Sequence, residues 1–121
     1  MPTVLRDRST IYASRMSSRR RIDVRARVVA LHSGERCTRH GVKYSVVHAR
    51  TFDISRSGAG LTLTRELPSG SEVVLCFRHP GNGAMLCLHA IVARSKGFRV
   101  GVRFVQPTAE QRLLLSELCS L

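Results

Sequence analysis

The chain contains no tryptophan, and aromatic residues make up only 5% of its 121 positions, so aliphatic side chains must fill any core. Sparse aromatics also argue against a surface that stacks the bases of single-stranded nucleic acid. Acidic residues are scarce as well: eight against 20 basic ones. No pair of carboxylates stands near a histidine, and no Ser/His/Asp or Cys/His arrangement has a recognisable context, so an enzyme is not expected. No apolar run approaches the roughly 18 residues a membrane helix needs. The opening MPTVLRDRSTIYASRMSSRRR lacks the apolar core of a signal peptide. The four cysteines, Cys37, Cys76, Cys87 and Cys119, form no CxxC pair. Three of them lie in apolar runs and read as small core residues with free thiols, as in a reducing cytoplasm.

What the chain has in excess is arginine. Lys43 and Lys96 are the only lysines, which leaves 18 of the 20 basic residues as arginine and a formal net charge of +12. Arginine offers a planar fork that matches phosphate and guanine edges, and it stacks on flat rings. Such a chain calls for a polyanionic partner. Apolar residues reach 43%, enough for one domain with its own core.

Hydropathy patterning sets the architecture. Residues 1–18 have weak periodicity and read as a flexible basic arm, and residues 19–121 as the folded domain. From Ile22 the sequence alternates, with Ile22, Val24, Ala26 and Val28 on one face and charged residues on the other. A long polar loop over 33–42 leads to a second strand over about 43–54 and a third over about 59–64. Leu67-Pro68-Ser69-Gly70 is a turn. Strands over 72–78, 84–94 and 98–106 follow, the last with Phe98, Val100, Val102 and Phe104 on one face. The period then changes. Thr108 and Gln111 form a capping box ahead of an amphipathic helix with Leu114, Leu118 and Leu121 on its apolar face. The reading is all-β: a six-stranded antiparallel small β-barrel with a C-terminal α-helix, closed because closure removes the edges.

Two motifs carry the chemistry. Asp53-Ile54-Ser55-Arg56-Ser57-Gly58 sits where two apolar runs meet. Taken alone it is a polar turn; its Asp could accept from the two-donor edge of a guanine, its Ser could donate to a phosphate, and Gly58 permits positive φ or a close approach. Upstream lies Arg19-Arg20-Arg21, with Arg15 before it. Arginines at an arm-to-strand junction are either a solvated basic face or a clamp for guanine and phosphate. Arg56 reads as a solvated turn residue. Cys37-Thr38-Arg39-His40 has CxxH spacing but no second ligand pair, so no metal is expected. His32, His48, His79 and His89 read as sheet-surface or turn positions.

An arginine motif before the first strand, a complete DxSxxG in Asp53, Ser55 and Gly58, and a Gly101-Val102-Arg103-Phe104 strand leading to a Leu-rich helix together resemble a PilZ domain over residues 15–121. The resemblance implies the barrel-plus-helix fold and the binding of cyclic di-GMP as ligand. It implies that Arg15, Arg19, Arg20 and Arg21 hold guanine and phosphate. Asp53 would take the other edge of the guanine, and Ser55 and Gly58 the near side of the ligand. The family's RxxxR is met by two stretches, Arg15 to Arg19 and Arg21 to Arg25. The functional expectation is a cytoplasmic bacterial receptor whose arm orders over the ligand and signals to a downstream effector protein in motility, biofilm or exopolysaccharide control, as a monomer or weak dimer. Two alternatives stay open: a PilZ-like protein-interaction module that binds no ligand, and a basic barrel for single-stranded nucleic acid.

Overall fold

Six strands form, most of them with burial alternating at a period of two residues: β1 (Arg25–Leu31), β2 (Tyr44–Ile54), β3 (Gly58–Leu63), β4 (Glu72–Arg78), β5 (Met85–Lys96) and β6 (Arg99–Phe104). A helix, α1 (Ala109–Cys119), follows. These come from a computed structural model that describes residues 19–31 and 44–120. The basic arm of residues 1–18 with Arg15, the Cys37 and His40 pair, and Leu121 lie outside the described residues.

Every pairing is antiparallel, and the strands close in the order β1-β2-β3-β6-β5-β4, with β4 returning to β1. Closure pairs every strand on both sides and leaves no edge. Inward residues form one cluster in which, among the described residues, Phe77 and Phe104 are the only aromatic side chains. Leu61, Leu75, Leu88 and Val28 are wholly buried in it. Aliphatic filling, anticipated from the scarcity of aromatics, is what the barrel contains.

Thr108 caps α1 with both halves of the capping box in place: its Oγ1 accepts from the Gln111 amide, and its own amide donates to Gln111 Oε1. Leu115 and Leu118 are fully buried and belong to the barrel cluster. Because the barrel is closed, the helix reaches that cluster only at an open end. Each leucine contributes about 1.5–3 kcal/mol by leaving water. Leu114, expected on the buried face, is only partly covered.

Two further expectations change, and a third is refined. Phe98 does not share the inner face of β6. It sits in the turn after Gly97, whose φ is 62°, and is 54% exposed. The cysteines of β4 and β5 are not core: Cys76 is partly covered and Cys87 is exposed, both on the outer face. His79 is a turn residue but a buried one. Its Nδ1 accepts from the amides of Gly81 and Asn82, at 2.9 and 3.3 Å, so the ring organises the β4–β5 turn.

Candidate functional site

Two strand irregularities shape a cleft beside Asp53. In β2 the register slips between Thr51 and Asp53, so two residues, Phe52 and Asp53, stand against Gly60 of β3. In β5 it slips between Val92 and Arg94, so Ala93 and Arg94 stand against Gly101 of β6. Bulges re-aim side chains, and here both members of each pair line the same cleft of about 660 Å³. Gly60 and Gly101 are themselves register partners across β3 and β6. The floor is therefore a pair of facing glycines with a bulge on either side.

The glycines differ in what they permit. A Cβ on Gly60 would lie 2.5 Å from Phe52 Cζ and 2.8 Å from Asp53 Oδ1, closer than real contacts allow. A Cβ on Gly101 would meet Arg94 Nε at 3.6 Å, an ordinary contact that raises the floor without a clash.

Arg19, Arg94, Lys96 and Arg99 line the cleft, with Asp53 as the one carboxylate among the described residues there. Converging cations of this kind make a local site for an anion. The Arg99 guanidinium lies 4.4 Å from the centroid of the Phe52 ring, a cation–π contact that holds a flat positive group and a flat ring together. Asp53 Oδ1 accepts from the Gly60 amide at 2.9 Å and from Arg19 Nη1. Oδ2 has no hydrogen-bond partner among the described residues.

The DxSxxG residues divide into three kinds of position. Asp53 is on the cleft wall. Ser55 is 5% exposed, and its Oγ accepts from the amides of Ser57 and Gly58, each at 3.1 Å, so it braces the turn from inside. Gly58 is at the β3–β6 seam, where a Cβ would stand 2.2 Å from the Val102 carbonyl oxygen. Close backbone approach, not positive φ, is what requires glycine there.

The three consecutive arginines diverge. Arg19 enters the cleft. Arg20 bridges Ile54 through its backbone, donating to its carbonyl at 2.8 Å and accepting from its amide at 2.9 Å. Arg21 borders an adjoining hollow shared with Arg50, Phe52 and Thr62. Arg25 is opposite Arg50 on the outer face of β1 and does not line the cleft, so the Arg21 to Arg25 spacing places neither residue there. Arg56 is exposed in the turn, also away from it.

Sequence reasoning missed Phe52, Gly60, Arg94, Lys96, Arg99 and Gly101. One signal was present: glycine inside a strand marks a bulge or a close backbone approach. Both Gly60 and Gly101 are of this kind, but only the barrel register makes them neighbours.

A family model described as the PilZ domain matches residues 13–121. No curated protein matches the sequence. Among solved structures, a crystal structure of the PilZ domain of CeSA from a cellulose synthesizing bacterium superposes with a TM-score of 0.59. It is 18% identical, with 84% of this chain and 94% of that one covered. The closed six-stranded antiparallel barrel with its terminal helix agrees with that likeness, and the match to the family model spans nearly the whole sequence: the chain belongs to the PilZ domain family.

Proposed function

We propose that this PilZ domain binds cyclic di-GMP in the cleft between the Arg19–Asp53 pair and the Gly60–Gly101 floor. The observation that carries the reading is a carboxylate among four cations, with one oxygen held by Gly60 and Arg19 and the other without a partner among the described residues. A guanine presents a ring N–H and an amino group side by side, and a carboxylate accepts both. Its opposite edge, O6 and N7, takes an arginine fork. The two phosphodiesters supply the negative charge that Arg94, Lys96 and Arg99 attract.

In this reading Arg19 changes partner. It leaves Asp53 for the ligand, and Asp53 turns to the guanine. Arg20 and Arg21 follow on the same segment, and Arg15 is retained as a candidate by its place four residues before Arg19. Ser55 and Gly58 act through the turn rather than by touching the ligand, since Ser55 Oγ is engaged internally. The signal is a moved segment, not a chemical step. Arg20 is bonded to Ile54, and the Ile54 carbonyl also accepts from the Cys119 thiol of α1, so a shift at Arg19 reaches the helix end. A downstream effector protein reading that surface, in a cytoplasmic pathway of motility, biofilm or exopolysaccharide control, completes the proposal.

Isothermal titration with cyclic di-GMP tests it, with GTP and a short single-stranded DNA as controls at two salt concentrations. A saturable heat with cyclic di-GMP, weakened by Arg99→Ala, is expected. Silence with cyclic di-GMP refutes the reading. Binding to DNA alone, steeply weakened by salt, would replace it with a nucleic-acid surface.

A further inference from the structure

On the barrel wall away from the cleft, one cross-strand row contains two thiols and an arginine. Cys76 of β4 pairs with Cys87 of β5, and Arg27 of β1 pairs with Cys76 on its other side. The row faces outward, since the neighbours Leu75, Phe77, Leu86 and Leu88 are all buried. It borders a groove of about 700 Å³ that Arg25, Arg27, Arg78 and Met85 also line.

We propose that Cys76 and Cys87 form a dithiol site that anionic low-molecular-weight disulfides oxidise to a cross-strand disulfide. Directly paired residues of antiparallel strands have Cα atoms about 4.5 or 5.5 Å apart. Both values fall inside the range of about 4.4–6.8 Å that a disulfide spans, so the register of Cys76 with Cys87 meets the spacing the bond needs. The guanidiniums around the pair select the oxidant: they attract its carboxylates to the sulfurs.

The roles of the two thiols differ. Cys87 is exposed and makes the attack. Cys76 is a poor nucleophile at first, because burial, and then the neighbouring Cys87 thiol, push its pKa up to about 12. Once Cys87 is in a mixed disulfide it no longer opposes ionisation of its neighbour, and Arg27, which favours the Cys76 thiolate, remains. The sequence is balanced. The Cys87 thiolate attacks one sulfur of R–S–S–R, breaking that bond and releasing R–S⁻. The Cys76 thiolate then attacks Cys87 Sγ and releases the second R–S⁻. Two electrons pass from the protein sulfurs to the oxidant, and the two protons given up by the cysteines end on the two departing thiols. In a reducing compartment the pair stands as thiols, and it closes when oxidised small thiols accumulate.

The test uses the full chain carrying Cys37→Ser and Cys119→Ser, so that only this pair can react. Oxidised glutathione (anionic) and cystamine (cationic) are compared at equal concentration, with peptide mapping under non-reducing conditions. The expected product is a Cys76–Cys87 cross-linked peptide, formed about tenfold faster by oxidised glutathione. Arg27→Gln with Arg78→Gln should narrow that advantage more than two charge-matched substitutions elsewhere, Arg103→Gln with Arg112→Gln. Adding Cys76→Ser should leave glutathione trapped on Cys87. A glutathione adduct that persists on Cys87 while Cys76 is present overturns the dithiol. Equal rates for the two oxidants, or equal narrowing by the control pair, overturns the arginine-lined site.

Discussion

Arg19 donates to the same carboxylate oxygen of Asp53 that accepts the Gly60 amide. One oxygen thus joins the arginine segment to the floor of the cleft. Asp53→Asn separates charge from shape: an asparagine oxygen still serves Gly60, but the pull on Arg19 and the two-acceptor edge for guanine are gone. Calorimetry on the Asp53→Asn variant should show cyclic di-GMP binding weakened more than about tenfold, equivalent to losing about 1.4 kcal/mol or more. The melting temperature should shift by only a few degrees. Binding at wild-type affinity would remove Asp53 from the site.

The two glycines of β3 should fail in different ways. Gly58→Ala drives a methyl into the Val102 carbonyl oxygen, which belongs to the paired backbone. The β3–β6 seam must open, and a loss of more than about 2 kcal/mol in denaturant unfolding is expected. Gly60→Ala meets the far ends of two side chains, Phe52 and Asp53. These can swing away, so the protein should stay folded while ligand binding falls. A folded, fully stable Gly58→Ala protein would contradict the seam.

Ser55→Ala removes the acceptor of two amides, that of Gly58 buried and that of Ser57 partly so. A destabilisation of about 1–3 kcal/mol follows from leaving those donors unpaired. Ser55→Asn, which can brace a turn with its side-chain oxygen, should recover part of it. Thermal unfolding of the three proteins side by side decides whether Ser55 acts through the turn.

Cys76 gives the protein an alkaline sensitivity. Its folded pKa is raised to about 12 from the usual 9.0, mainly by burial. Below pH 9 native and unfolded chains both hold the proton, and the contribution is full. Between pH 9 and pH 12 the unfolded chain loses it first, so the unfolded state binds fewer protons and stability falls as pH rises. The melting temperature of the wild-type protein should therefore drop more steeply above pH 9 than that of Cys76→Ser. Parallel curves would show that the thiol is not held in its neutral form.

Much of this molecule is legible locally. The alternation of Ile22, Val24, Ala26 and Val28 with charged residues specifies a strand because a sheet has a side-chain period of two, and the Thr108–Gln111 pair specifies a helix start because both halves of the box are close in sequence. The errors fall where burial is decided by a distant element. Leu115 is buried instead of Leu114 because the helix docks at the barrel end with its own rotation. Cys76 and Cys87 face outward because their neighbours claim the interior.

The sequence by itself determined the barrel-plus-helix class, the arginine excess and the presence of an Asp, a Ser and a Gly at the meeting point of two strands. The class depends on the succession of six strand patterns and one helix pattern along the chain, and the other two on residue type and short spacings. Only the tertiary structure decided which arginines meet Asp53, that Ser55 is turned inward, and that Gly60 and Gly101 lie side by side. Those outcomes depend on the closing register of β3 with β6 and on one extra residue in each of β2 and β5. A slip of one residue reverses which face a side chain takes, and a single-residue bulge is set by the neighbouring strands together.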